Sequence, residues 1–170
     1  EVGTTRPAPT MAVLTARMNL PSSSASMSLM ALSDSTWRIS ITQVRSSSTS
    51  RCAEVTDNST SNGAVVRDVT CESYSATGQG WRLDPGGLLI SRIDAGDHGK
   101  CLDAGTGAVG QTVLSWDCHG GANQRWTLSG TQLVNAVAGL CLQSADVAGG
   151  PLRLAACNGS ASQRWELRPQ

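Results

Sequence analysis

Residues 121–128 read "GANQRWTL", and residues 161–167 repeat the pattern as "ASQRWEL". A fainter third copy, "GQGWRL", stands at residues 78–83. In every copy a Gln is followed two positions later by Trp and four positions later by Leu. Three copies of one motif in a chain of 170 residues indicate an internal threefold repeat.

The cysteines follow the same repeat. They form three consecutive pairs with sequence separations of 19, 17 and 16, and each pair precedes one of the Gln-X-Trp tryptophans. Equivalent units should be cross-linked equivalently, and closing loops of this size stabilises a small domain. The repeat therefore predicts three disulfides, namely Cys52–Cys71, Cys101–Cys118 and Cys141–Cys157.

Short runs of alternating apolar residues surround these cysteines. "GLLISRI" precedes Cys101, "TQLVNAV" precedes Cys141, and "PLRLAAC" ends at Cys157. Alternation over four to six residues, broken by Gly and Ser, is typical of half-buried strands. The pattern predicts an all-β protein in which three equivalent units close into a barrel without an exposed edge.

The middle unit, "KCLDAGTGAVGQTVLSWDCHGGANQRWTL" at residues 100–128, resembles the ricin-B-type β-trefoil lectins, also known as family 13 carbohydrate-binding modules. The resemblance covers about residues 45–170 and implies a β-trefoil over residues 46–170. Its three repeats would span about 46–90, 91–132 and 133–170. It also implies shallow pockets for galactose- or xylose-type sugars.

A sugar pocket needs a carboxylate for the hydroxyls, a flat ring for the C–H face and an amide that donates and accepts. The middle unit has all three in Asp103, Trp116 and Asn123, and the resemblance adds Gln124 as a supporting amide. His119 would line the rim of the pocket.

The other two units depart from this pattern. The first has Glu54, Val69 and Gly78 at the carboxylate, ring and amide positions, and the third has Gln143, Ala155 and Ser162. We therefore predict one working site. The Gln and Trp residues recur where the pocket is lost, so we interpret them as residues of the fold.

Residues 1–45 lie outside the resemblance. The start, "EVGTTRPAPT", reads as a linker, and the following residues alternate like three amphipathic strands. Such strands need a partner for their apolar face and their edges. An alternative function follows: a structural or adhesive subunit of an extracellular assembly, in which these strands pair with a neighbouring subunit.

Composition narrows the remaining classes of function. The formal net charge is zero, with one lysine and twelve scattered arginines, which disfavours a nucleic-acid partner. No apolar run is long enough for a membrane span. Six cysteines without a CxxC pair, and a first residue other than Met, predict a secreted protein whose signal has been removed. The absence of GxSxG and HExxH motifs predicts a protein that is not an enzyme and needs no metal or cofactor.

Overall fold

The computed structural model describes residues 41–73, 77–93 and 99–169. These residues form strands connected by turns and by four three-residue 3₁₀ turns, as the alternating sequence predicts. None of the helices in these ranges is long and apolar enough to cross a membrane. The strands are β1 (Thr42–Ser46), β2 (Arg51–Val55), β3 (Ala64–Thr70), β4 (Trp81–Leu83), β5 (Leu89–Ser91), β6 (Lys100–Asp103), β7 (Leu114–Asp117), β8 (Trp126–Ser129), β9 (Gln132–Asn135), β10 (Cys141–Gln143), β11 (Arg153–Ala155) and β12 (Trp165–Pro169).

Each repeat contributes four strands, and the last strand of one repeat pairs antiparallel with the first strand of the next. The pairs are β4 with β5, β8 with β9 and β12 with β1, so the chain closes on itself. The protein is thus a β-trefoil, confirming the predicted fold. The predicted domain boundary, between residues 45 and 46, falls inside β1. The strands predicted within residues 1–40 lie outside the described residues.

Three backbone hydrogen bonds form a closed ring at the centre of the barrel. Val66 donates to Val113, Val113 to Leu152 and Leu152 back to Val66, with N···O distances of 3.1, 2.9 and 2.9 Å. All three side chains are fully buried. Because each repeat supplies one member of the ring, no repeat can bury this core alone.

The three repeated tryptophans anchor the core in the same way. Trp81, Trp126 and Trp165 are almost completely buried. Each indole N–H donates to a backbone carbonyl of its own repeat, at 3.0, 2.9 and 2.8 Å respectively. The accepting carbonyls belong to the residue after the first cysteine of each pair. This confirms that the repeated Trp serves the fold.

The repeated glutamines are equally regular. Gln79, Gln124 and Gln163 are fully buried, and each amide donates to the carbonyl of the residue just before the second cysteine, at 2.8–3.0 Å. Each side-chain oxygen accepts the backbone N–H of the residue just after that cysteine, at 2.8–2.9 Å. The Gln side chain thus hydrogen-bonds to the backbone on both sides of the second cysteine. The three predicted disulfides are formed as expected: Cys52–Cys71, Cys101–Cys118 and Cys141–Cys157.

An ion pair within the first repeat joins Arg51, whose side chain is 18% exposed, to the fully buried Asp68, and a further hydrogen bond of Arg51 reaches the third repeat. Arg51 Nη2 donates to Asp68 Oδ2 at 2.9 Å and to the carbonyl of Ala145, in the third repeat, at 2.7 Å. Burial raises the pKa of Asp68 above its ordinary value, although the Arg51 guanidinium opposes the shift. The equivalent positions of the third repeat, Leu140 and Leu154, are apolar, so this pair is not required by the fold.

Candidate functional site

The carboxylate of Asp103, at the end of β6, is the centre of a hydrogen-bonded cluster in the middle repeat. Asp103 is only 4% exposed. Its Oδ1 accepts the backbone N–H of Gly105 at 2.7 Å, and Asn123 Nδ2 donates to both carboxylate oxygens at 2.9 and 3.0 Å. Gln124 Nε2 donates to Oδ2 at 2.9 Å. A carboxylate has about four acceptor sites, and these four hydrogen bonds fill them, so a ligand hydroxyl would have to replace one of the two Asn123 contacts.

The two amides reach Asp103 because they lie on one 3₁₀ turn, Ala122–Gln124. That turn is tied to the end of β7 through Gln124, which donates to the Asp117 carbonyl and accepts the His119 backbone N–H. The motif residue Gln124 therefore has two functions. It fixes the backbone as in the other repeats, and it orients the carboxylate.

Trp116 lies on β7 and is 41% exposed. Asp103 pairs with Leu114 across the β6–β7 hairpin, and Cys101 pairs with Trp116. Paired residues share a face of the sheet, so Trp116 is the diagonal neighbour of Asp103 on that face, about 7–8 Å away. An exposed indole beside a held carboxylate can offer its flat face to a ligand that the carboxylate binds.

His119 lies at the edge of the cluster, with its side chain 48% exposed. Its Nε2 is 3.6 Å from Asp103 Oδ2, too far for a hydrogen bond, and its Nδ1 accepts the Gly121 N–H at 3.1 Å. The structure thus brings Asp103, Asn123, Gln124 and His119 together and places Trp116 on the same hairpin.

Gly121 is a site residue that the sequence analysis missed. A Cβ atom at Gly121 would lie 2.7 Å from Asn123 Oδ1 and 2.8 Å from the His119 ring. Only a residue without a side chain lets the amide and the ring approach this closely. The sequence carries a signal for it, since the third repeat has Ser160 at the equivalent position.

In the first repeat the corresponding space is occupied by the repeat's own side chains. Glu54 Oε2 accepts Gln79 Nε2 at 2.8 Å, as Asp103 accepts Gln124. A Cβ at Gly78 would lie 2.7 Å from Asn58 Oδ1 and 3.1 Å from Glu54 Cγ. Asn58, from the loop after β2, therefore lies against the amide position, and Val69 stands where the middle repeat has Trp116.

In the third repeat the carboxylate and the ring are both replaced. Gln143 Oε1 accepts Gln163 Nε2 at 3.3 Å, and Ser162 contacts the Ser160 hydroxyl at 3.1 Å. The ring position is Ala155. Across the described ranges, the middle repeat alone combines a carboxylate, a ring and an Asn amide at these three positions. Those same ranges hold no group of three or more His, Cys, Asp or Glu residues that could bind a metal.

Solved structures with a similar fold include both designed and natural proteins. A designed threefold-symmetric protein, ThreeFoil, matches 76% of this chain and 99% of its own, with 25% identity and a TM-score of 0.66. The agglutinin of Abrus precatorius matches 75% of this chain and 48% of its own, with 23% identity and a TM-score of 0.68. The β-trefoil lectin of the Vibrio vulnificus hemolysin/cytolysin, with N-acetyl-D-lactosamine bound, matches 78% and 96%, with 20% identity and a TM-score of 0.65.

A family model gives the direct assignment. The model of the ricin-type β-trefoil lectin domain matches residues 40–165 of the 170. The match covers all three cysteine pairs, all three Gln-X-Trp motifs and the whole Asp103 cluster. The chain belongs to the family of ricin-type β-trefoil lectin domains.

Proposed function

We propose that the protein is a secreted, non-enzymatic carbohydrate-binding module with one sugar site, in its middle repeat. The observation that carries the proposal is the Asp103 carboxylate, held by Asn123 and Gln124 beside the exposed Trp116. The first and third repeats keep the fold residues but lack this set.

Each group matches one feature of a pyranose. A sugar hydroxyl would take the place of an Asn123 contact at the Asp103 carboxylate, while the Gly105 N–H and the Gln124 amide hold the carboxylate in place before the sugar arrives. The indole of Trp116 covers the apolar C–H face of the sugar. Asn123 supplies a further polar group, and His119 borders the rim.

The expected ligands are galactose- or xylose-type glycans. The Vibrio vulnificus lectin is a structural neighbour with bound N-acetyl-D-lactosamine, which supports the galactose-type choice. One shallow site of this kind binds weakly, with a Kd of about 1 mM, or roughly −4 kcal/mol. Strong attachment to a surface then requires several sites acting together.

Secretion is supported by the three disulfides. Such bonds form and persist in oxidising compartments and are rare in the cytosol. The match to lectin domains agrees with a protein that meets glycans outside the cell.

The test is a titration with galactose, N-acetyl-D-lactosamine, xylose and xylobiose, followed by NMR or calorimetry. We expect one stoichiometric site in the wild-type protein and at least a tenfold loss of affinity in Trp116→Ala. Val69→Ala, at the ring position of the first repeat, is the matched control and should bind like the wild type. Wild-type affinity in Trp116→Ala would contradict the proposed site.

A further inference from the structure

The three junctions between repeats share one backbone contact. A glycine with positive φ precedes the third strand of each repeat and donates its N–H to the third strand of another repeat. The bonds run from Gly63 to Ser115 O at 3.0 Å, from Gly110 to Leu154 O at 2.8 Å and from Gly149 to Asp68 O at 2.7 Å. This contact belongs to the fold, since it is repeated three times.

At one junction a second set of contacts is added. Asn62 of the first repeat accepts the backbone N–H of Asp117 at 2.8 Å and donates to Asp117 Oδ2 at 2.7 Å. Lys100, which is only 5% exposed, donates to Asn62 Oδ1 at 2.8 Å and forms an ion pair with Asp117. We call Asn62, Lys100 and Asp117 the junction clamp.

The clamp residues are not repeated. At the position of Asn62, the second and third repeats have Val109 and Ala148. At the position of Lys100, the first and third repeats have Arg51 and Leu140. At the position of Asp117, they have Thr70 and Ala156. The Asn, Lys and Asp thus coincide only at the junction beside Trp116. Since the other two junctions close without them, the fold does not require the clamp.

The residues on both sides of Trp116 are hydrogen-bonded to the first repeat. Its neighbour Ser115 accepts the Gly63 N–H, and its other neighbour, Asp117, is held by Asn62. Extending the β3–β7 register beyond the Ala64–Ser115 pair places Gly63 opposite Trp116. A Cβ at Gly63 would lie 3.6 Å from Cζ3 of the indole, so the ring lies against this bare backbone.

We propose that Asn62, Lys100 and Asp117 are positioning residues for sugar binding, so that the first repeat completes the site of the middle repeat. The inference rests on the proposed function, because it assigns the clamp to the ring that meets the sugar. A side chain that is fixed before binding loses less conformational entropy when the ligand arrives. By holding the strand on both sides of Trp116, the clamp presents the indole in its binding orientation.

The experiment compares Asn62→Ala with Val109→Ala, the equivalent change at another junction. Sugar affinity is measured together with the ¹⁵N-Trp indole NMR signals of the folded protein. For Asn62→Ala we expect a loss of affinity of about fivefold, with a shifted or broadened Trp116 signal. The Trp81, Trp126 and Trp165 signals should stay in place, and Val109→Ala should match the wild type in both readouts.

Wild-type affinity and an unmoved Trp116 signal in folded Asn62→Ala would overturn the inference, provided that Trp116→Ala abolishes binding. A loss of affinity in which the Trp81, Trp126 and Trp165 signals shift as much as the Trp116 signal would also overturn it, because that pattern reports general loosening of the fold. If Asn62→Ala does not fold, Lys100→Met decides instead, since it removes one donor and keeps the Asn62–Asp117 contacts. Wild-type binding by Trp116→Ala itself would refute the proposed function and the inference with it.

Discussion

The middle and third repeats have the same backbone anchors and different surfaces. In both, the Trp indole donates to a backbone carbonyl and the Gln amide spans the disulfide with nearly equal distances. Yet Asp103, Trp116 and Gly121 of the middle repeat are replaced by Gln143, Ala155 and Ser160. A threefold fold requires its anchors three times, whereas a binding site needs its residues once. The repeated residues therefore serve the fold, and the proposed sugar site is built from residues that are not repeated.

The largest expected effect separates the two kinds of tryptophan. Trp126→Ala empties a core position and leaves the Leu102 carbonyl without its donor, so we expect a loss of about 3–5 kcal/mol in the free energy of unfolding. Trp116→Ala removes an exposed ring and should cost less than about 1 kcal/mol. Urea unfolding measures both. Equal losses in the two variants would contradict the division between fold and site residues.

The second prediction uses the ion pair of the first repeat. Asp68→Leu removes the buried carboxylate from Arg51, whose side chain is 18% exposed, and should cost about 2–3 kcal/mol. Adding Arg51→Leu reproduces the apolar pair Leu140 and Leu154 of the third repeat, and the double variant should recover to within about 1 kcal/mol of the wild type. A double variant as unstable as the single one would show that the ion pair is essential.

The same pair predicts a dependence of stability on pH. Burial raises the pKa of Asp68 above 3.8, so the folded protein binds more protons than the unfolded chain between 3.8 and the raised value. The contribution of Asp68 is therefore fully present below pH 3.8 and is lost as the pH rises through the raised pKa. Because the other carboxyl groups titrate in both proteins, the unfolding free energy of the wild type relative to the double variant should fall as the pH rises through this window.

A smaller effect is expected for the carboxylate of the site. Asp103→Asn is nearly isosteric but turns an amide N–H toward the donors of Asn123 and Gln124. Sugar affinity should fall at least about tenfold, or about 1.4 kcal/mol. Glu54→Gln, the equivalent change in the first repeat, should leave affinity unchanged in the same titration. Loss of binding in Glu54→Gln would place a site in the first repeat.

The smallest expected effect comes from a substitution of Gly121, the glycine that precedes the 3₁₀ turn of the site. Gly121→Ser installs the residue of the third repeat, and its Cβ would displace the Asn123 amide and the His119 ring. We expect about a fivefold loss of affinity, since one hydrogen-bonding group is misplaced, with unfolding free energy nearly unchanged. Ser160→Gly is the reverse change and should create no binding in the third repeat. Full affinity in Gly121→Ser would show that the turn adapts.

Local spacing predicted three equivalent all-β units, and the resemblance to ricin-B-type lectins identified the fold as a β-trefoil. The Gln-X-Trp motifs and cysteine pairs recur at fixed distances because equivalent contacts are made within each repeat, and all three disulfides are confirmed. Contacts within the middle repeat, such as Asn123 with Asp103, were predictable for the same reason.

Contacts between repeats were not predictable in this way. Asn62 lies 55 residues from Asp117 in sequence and meets it only when the barrel closes. A contact within the first repeat was equally hidden, since Asn58 reaches the position of Gly78 through a turn in which Asp57 and Asn58 have positive φ, which no repeat pattern encodes. Local periodicity determines which residues form strands, but packing between repeats determines which loop side chains enter a neighbouring pocket.

The most direct test of the central claim is a ¹⁵N–¹H NMR titration of the wild-type protein with its best-binding sugar. The account predicts that the largest shift changes map to residues 103–105 and 116–124 of the middle repeat. Residues 54–58 and 78 of the first repeat, and 143, 155 and 162 of the third, should stay in place. Changes of equal size in all three repeats, or changes centred on the first or third, would contradict a single site in the middle repeat.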